Sequence, residues 1–232
     1  MKIIGMLGGL GPPSTVKYYE WLTQGVQQRT GGTSQGARVL INALDGKDIA
    51  AFRARGDDEG EGAFFAAEAQ RLQRAGAECI LIASNTSHKN APWVEDAVSI
   101  PLIHLAKATA RAVVESGQRK VVLLATATTL EGHFYTDILR AAGLDVVIPD
   151  ADERAYMDEA IYQRLVRNIV APADKERFAE ITKKLIKRHK AEGVILGCTE
   201  LTLLSLPERF EVPFYDTVRI HVEAALDFAI EA

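Results

Sequence analysis

Apolar residues in this chain come in short, nearly unbroken runs that alternate with longer stretches of helical period. The runs cover residues 2–7, 38–43, 79–83, 120–125, 144–148 and 194–196. Runs of this length without polar alternation predict strands covered on both faces, as in a parallel sheet. Between them lie helical patterns: Val16, Tyr19, Trp21 and Val26 in the first; Phe64, Phe65, Ala69 and Leu72 in residues 63–75; Phe134, Tyr135, Ile138 and Leu139 in another. Gly76, Gly117 and Gly143 stand where three of these helices would stop. Residues 152–170 and 174–192 predict long helices parted by Ala171-Pro172, and Ile220, Ala224, Leu226, Phe228 and Ile230 mark a last one. Residues 45–62 form a polar segment.

The order strand, helix, strand, helix, strand therefore occurs twice, the second time from Lys120. The expected fold class is α/β: two similar, pseudo-symmetric lobes with parallel sheets and an active site in the cleft between them. The expected boundaries are 1–103 plus 208–232 for the first lobe and 104–207 for the second. Residues 101–105 form the crossing, and the C-terminal helix packs back on the first lobe.

Two strand ends share one design. Val194-Ile195-Leu196-Gly197-Cys198-Thr199-Glu200 stops at a glycine, presents a thiol and turns toward a helix. Ile80-Leu81-Ile82-Ala83-Ser84-Asn85-Thr86 aligns with it so that Ala83 falls on Cys198, Ser84 on Thr199 and Asn85 on Glu200. Ligands of open α/β sheets bind at the carboxyl ends of strands. A thiol there, before a helix start, is placed for a stabilised thiolate, with Glu200 to orient or deprotonate a partner. Cys79 lies four residues back along its strand and reads as core. His88 and His104 are candidates for acid/base work, although a lone histidine is more often structural.

The opening turn, Gly8-Gly9-Leu10-Gly11-Pro12-Pro13, is followed by Ser14 as the expected helix cap and by Thr15. Its backbone N–H groups could close over a small carboxylate; the simpler reading is a turn that needs glycine for its backbone angles. The G-x-G-x-x-G dinucleotide fingerprint is absent in its usual form. Thr126 and Thr129 place hydroxyls at another strand-to-helix turn, for a carboxylate or for ordinary capping. Arg53 and Arg55, near Gly56, are candidate carboxylate clamps.

Composition narrows the class. The chain has 232 residues, 47% hydrophobic and 25% charged, with a formal net charge of −4 and a pI near 5.8. A soluble protein is expected, and the acidic balance argues against a nucleic-acid surface. No apolar run approaches the roughly 20 residues of a membrane span, and the chain enters a strand at once, so neither membrane nor signal peptide is expected. With two cysteines and no disulfide framework, a cytoplasmic location with reduced thiols is expected. No metal cluster or cofactor-bearing lysine stands out, so neither metal nor cofactor is expected.

These motifs resemble the PLP-independent aspartate/glutamate racemase family, nearest its aspartate racemase and broad-specificity amino-acid racemase branch, over essentially the whole chain. Gly197-Cys198-Thr199-Glu200-Leu201 is similar to the family's second cysteine motif. Ser84-Asn85-Thr86 with His88-Lys89 is similar to the tail of its first. Ile4 to Gly11 with Ser14-Thr15 is similar to its N-terminal loop, and Ala125-Thr126 with Thr129 to a G-T-x-x-T motif. Pro149 to Arg154 and Phe214 to Thr217 fit as well. The resemblance implies two lobes, a homodimer and cofactor-free proton transfer at Cα of a small amino acid or dicarboxylate. Cys198 would be one acid/base, supported by Glu200. Asn85, Thr86, Thr129 and Thr199 would hold the α-carboxylate, with Gly9, Ser14, Thr15 and Ser84 also at the substrate; Arg53 or Arg55 would hold a side-chain carboxylate. The departure is Ala83, which stands where two-base members carry the first catalytic cysteine. The chain is then either a Cys-to-Ala variant or a natural one-cysteine member, with impaired racemisation. The alternatives are a one-cysteine decarboxylase or isomerase of the same superfamily, and a non-catalytic ligand-binding homologue.

Overall fold

The computed structural model describes residues 1–32 and 35–230. In chain order the elements are β1 (Ile4–Gly8), α1 (Pro12–Thr30), β2 (Val39–Ala43), α2 (Gly46–Ala54), α3 (Asp58–Arg74) and β3 (Cys79–Ile82). After the 3-10 turn Thr86–Asn90 come α4 (Ala91–Ala97), α5 (Leu105–Glu115), β4 (Lys120–Leu124), α6 (Ala127–Glu131), α7 (His133–Ala141), β5 (Asp145–Val147) and α8 (Ala151–Gln163). The chain continues through α9 (Pro172–His189), β6 (Gly193–Leu196), the 3-10 turn Thr199–Leu204, β7 (Phe214–Asp216) and α10 (Thr217–Ile230).

Two sheets result, ordered β2-β1-β3 and β5-β4-β6-β7, and every strand pair is parallel. The chain divides into a first unit, Met1–Leu105 with His221–Ala232, and a second, Ala106–Ile220. The sheets share their order as far as β3 and β6. The likeness extends further: Ile80 bridges Leu102 in parallel as Ile195 pairs with Tyr215, at positions that coincide when Ala83 is laid on Cys198. β7 hydrogen-bonds to β6 and stays with the second sheet, and the first unit resumes at His221.

The apolar runs become strands because each unit can cover them. In the first unit Leu7, Ile80 and Ile82 pack with Phe65, Ala69, Leu72 and Val94. In the second, Val122, Leu124, Val194 and Leu196 pack with Phe178, Ile181 and Leu185. The central strand β1 is buried throughout, whereas β2, at a sheet edge, leaves Ile41 exposed.

Several local expectations differ. Ser14 does not cap α1: the helix begins at Pro12 with Gly11 in the capping place, because proline's fixed φ suits the first turn. The buried face of α1 is Tyr18, Leu22, Gly25 and Val26, while Val16 and Tyr19 are exposed. The polar segment 45–62 holds all of α2 and the start of α3. Asp45 caps α2 through Lys47 N–H and Asp57 caps α3 through Gly60 N–H, so side-chain caps start helices that hydrophobic period does not reveal. The helix expected over 152–170 ends at Gln163, after which a 3-10 turn leads to Asn168 in the left-handed region. Its start carries a full capping box between Asp150 and Glu153.

Candidate active site

In the second unit the site is built from the neighbouring ends of β4 and β6. Leu124 pairs with Leu196, and Gly197 N–H then donates to Leu124 O at 2.7 Å. A Cβ on Gly197 would lie 2.9 Å from Ala125 Cβ, so only glycine lets the strand ends close up here. Cys198, 8% exposed, comes next in extended backbone. Its Sγ–H donates to Glu200 Oε2 at 3.0 Å. Burial, and next the Glu200 carboxylate, push the thiol well above its ordinary range. Cys198 is therefore a protonated thiol, in contrast to the thiolate expected from its place before a helix. The chain after Cys198 forms only a short 3-10 turn, and the charge beside the sulfur is negative.

Across the strand end, Thr126 and Thr129 are buried and their hydroxyls lie 3.1 Å apart. Thr126 holds the N-cap place of α6 without a side-chain cap bond. Asp158 on α8 accepts Ala127 N–H at 2.8 Å and adds negative charge near Cys198. Asp158 is a member of the site that the sequence did not reveal, since nothing near it in the chain marks it. Thr199 and Glu200 are partly exposed.

In the first unit Ala83, 1% exposed, closes β3, with its N–H bound to Leu7 O at 3.0 Å. Ser84 is partly exposed; Asn85, Thr86 and His88 are buried. Gly9 sits at φ +77, and a Cβ there would fall 2.1 Å from the backbone oxygen of Leu44, so the turn requires glycine. Gly9 N–H donates to Thr15 Oγ1 at 2.8 Å, which ties the loop to α1 from inside. Arg53 lies with its Nη2 3.4 Å from Ser87 Oγ, beside the segment after β3. Arg55 instead caps the end of α2, largely exposed, opposite Asp57 at 3.5 Å.

His88 has both ring nitrogens engaged: Nδ1–H donates to Ser84 O at 2.7 Å, and Nε2 accepts Leu105 N–H at 3.1 Å. It forms a buried cluster with His104, at 4.8 Å between ring centroids, and His221, at 5.6 Å. His221 donates from Nε2 to Ile103 O and accepts the Tyr18 hydroxyl at Nδ1. Burial pushes His88 down to about 4 and His221 to about 3 from the ordinary 6.5. His88 is thus a neutral structural bond-maker. Unfolded imidazoles bind protons near pH 6.5 while these folded ones stay neutral. Stability is therefore full above that pH and falls as pH drops from there toward 4. We expect each to remove about 2 kcal/mol by pH 5. Urea unfolding at pH 7.5 and pH 5 measures the difference; a His221→Asn variant should halve it.

Among the described residues no helix is long and apolar enough to cross a membrane. The family model for Asp/Glu/hydantoin racemase matches residues 7–225. The chain belongs to this family. Racemase relatives align over its length: the broad specificity amino-acid racemase RacX of Bacillus subtilis is 24% identical, over 93% of this chain and 92% of the relative. A candidate Asp/Glu racemase from Yersinia pestis superposes with TM-score 0.93 at 35% identity, covering 99% of this chain and all of the other. An aspartate racemase homologue from Pyrococcus horikoshii gives 0.86 at 31%, again over 99% of this chain and 100% of the other. Family membership sets the chain among proteins of the Asp/Glu racemase type.

Proposed function

We propose that this chain moves a proton at Cα of a small amino acid with an acidic side chain, without a cofactor, using Cys198 as its acid/base. The observation that carries the reading is the buried Cys198 thiol donating to Glu200 at 3.0 Å at the end of β6, in a chain of the racemase family. Glu200 takes the thiol proton. The thiolate removes the Cα proton, and the resulting negative charge spreads into the α-carboxylate. The same sulfur then returns a proton to the same face.

The Cα proton is a very weak acid, so the carboxylate must be held by fixed donors with water kept out. Thr129 and Thr199, with Asn85 and Thr86, take that role, and Gly9, Ser14, Thr15 and Ser84 complete the pocket. That both strand ends serve one substrate is part of the proposal; the internal repeat supports it. Arg53 rather than Arg55 holds the side-chain carboxylate, a choice supported by its place beside Ser87. With a methyl group at Ala83, inversion is impaired while one-faced exchange remains.

The test is incubation with each enantiomer of aspartate and glutamate in D2O, following Cα–H loss by NMR and configuration by chiral chromatography. Exchange in one enantiomer with configuration retained is expected. No exchange with any of the four sinks the reading, and release of CO2 from a malonate-type acid would replace it with decarboxylation.

A further inference from the structure

Glu61 is the most deeply buried carboxylate among the described residues of the first unit, with a side chain 0% exposed. A carboxylate taken out of water is costly unless it is paired and fully hydrogen-bonded. Glu61 is both. Arg53 donates to it through Nε and Nη2, at 3.1–3.4 Å. Lys89 Nζ lies 2.8 Å from Oε2, and Asn90 Nδ2 donates at 3.0 Å. Burial alone would raise this carboxyl, but the bonds from Arg53, Lys89 and Asn90 outweigh it and hold the group below its ordinary range.

The manner of pairing matters. A guanidinium has two edges that can hold a carboxylate. Glu61 occupies the side edge, made by Nε and Nη2. Nη2 also approaches Ser87 Oγ, at 3.4 Å. Among the described residues no acceptor bonds to Nη1. On the end edge of Arg53, among the described residues, only Nη2–H has a partner, Ser87 Oγ at 3.4 Å, so Nη1 is left to a ligand on a side chain 34% exposed. Lys89 has no comparable freedom, since Asp58 at 2.7 Å and Glu61 at 2.8 Å hold it between them.

We propose that Glu61 is a positioning residue: it holds Arg53 by one edge so that the other edge, Nη1 and Nη2, selects substrates with a second carboxylate. The inference rests on the acidic amino-acid reading above and adds the group that sets its specificity. Glu61 touches no substrate. It orients the guanidinium and removes the rotamer freedom that a surface arginine would otherwise lose on binding.

The readout is the preference for aspartate over asparagine, which differ by one charge at nearly constant shape. Dissociation constants for both are measured by calorimetry on the full chain, on Arg53→Ala, on Glu61→Gln and on the double variant. Wild type prefers aspartate. Arg53→Ala and Glu61→Gln each lower that preference about tenfold, the scale of one charged hydrogen-bonded contact. The double variant is no worse than Arg53→Ala alone, because the effect of Glu61 passes through Arg53. If Glu61→Gln does not fold, as judged by circular dichroism, Glu61→Asp takes its place. Its carboxylate is one methylene shorter and draws the guanidinium back, and the preference falls at least threefold with charge retained.

A preference unchanged in Glu61→Gln or Glu61→Asp overturns the role of Glu61 and leaves the acidic substrate standing. A wild type that binds neither ligand, or binds both alike, overturns the substrate reading and this inference with it.

Discussion

Cys198→Ala is expected to slow Cα hydrogen exchange by about 10²- to 10⁴-fold, the contribution of a positioned acid/base. The Cys198 thiol donates a hydrogen bond to Glu200 at 3.0 Å. Glu200 cannot replace it, because a carboxylate is a far weaker base toward carbon than a thiolate. The change removes a single small atom from a buried position, so the fold should survive with a loss of about 1 kcal/mol. The measurement is the initial rate of deuterium uptake, with a thermal melt on the same sample. A folded variant that exchanges at the wild-type rate removes Cys198 from the reaction. A second arm separates acid from base: Glu200→Gln keeps a hydrogen-bond partner for the thiol but takes away the proton acceptor. It should slow exchange and relieve the negative charge beside the sulfur, so that the thiol titrates at lower pH in reaction with a small alkylating agent.

Ala83→Cys is expected to have the opposite effect: interconversion of enantiomers, where the parent chain gives exchange with retention. Inversion at Cα requires removal of a proton from one face and return to the other. On the proposed reading the chain has a thiol at 198 and only a methyl at 83. Ala83 is 1% exposed at the end of β3, and the added sulfur must find room, at about 1–3 kcal/mol if the surroundings do not yield. The assay is enantiomer ratio against time, starting from each enantiomer. Progress from both sides toward equal amounts supports a two-sided site completed by the new thiol. Retained configuration in a folded variant shows that position 83 does not face the reacting carbon.

The six short apolar runs, most of them buried on both faces, pointed by themselves to two parallel α/β units. Covering a strand on both faces leaves the same mark in any sequence. The strand-end repeat likewise aligns Cys198 with Ala83 within the sequence itself. Charge-built structure was not legible. α2 and the start of α3 rest on Asp45, Asp57 and the buried Glu61 rather than on an apolar stripe, so their pattern is that of a loop. Partners far apart in the chain were equally hidden. His221 bonds to Tyr18 and Ile103 from 203 and 118 residues away, and a histidine in sequence carries no sign of such a neighbour.

The burial of Cys198 came from the tertiary structure. The sequence offers a thiol before a turn, which is compatible with a thiolate. Burial with Glu200 beside the sulfur makes it a proton donor. Two arginines, two residues apart, differ in their partners: Arg53 meets the buried Glu61, whereas Arg55 lies largely exposed opposite Asp57. Burial sets those energies, and it is not a property of the local chain.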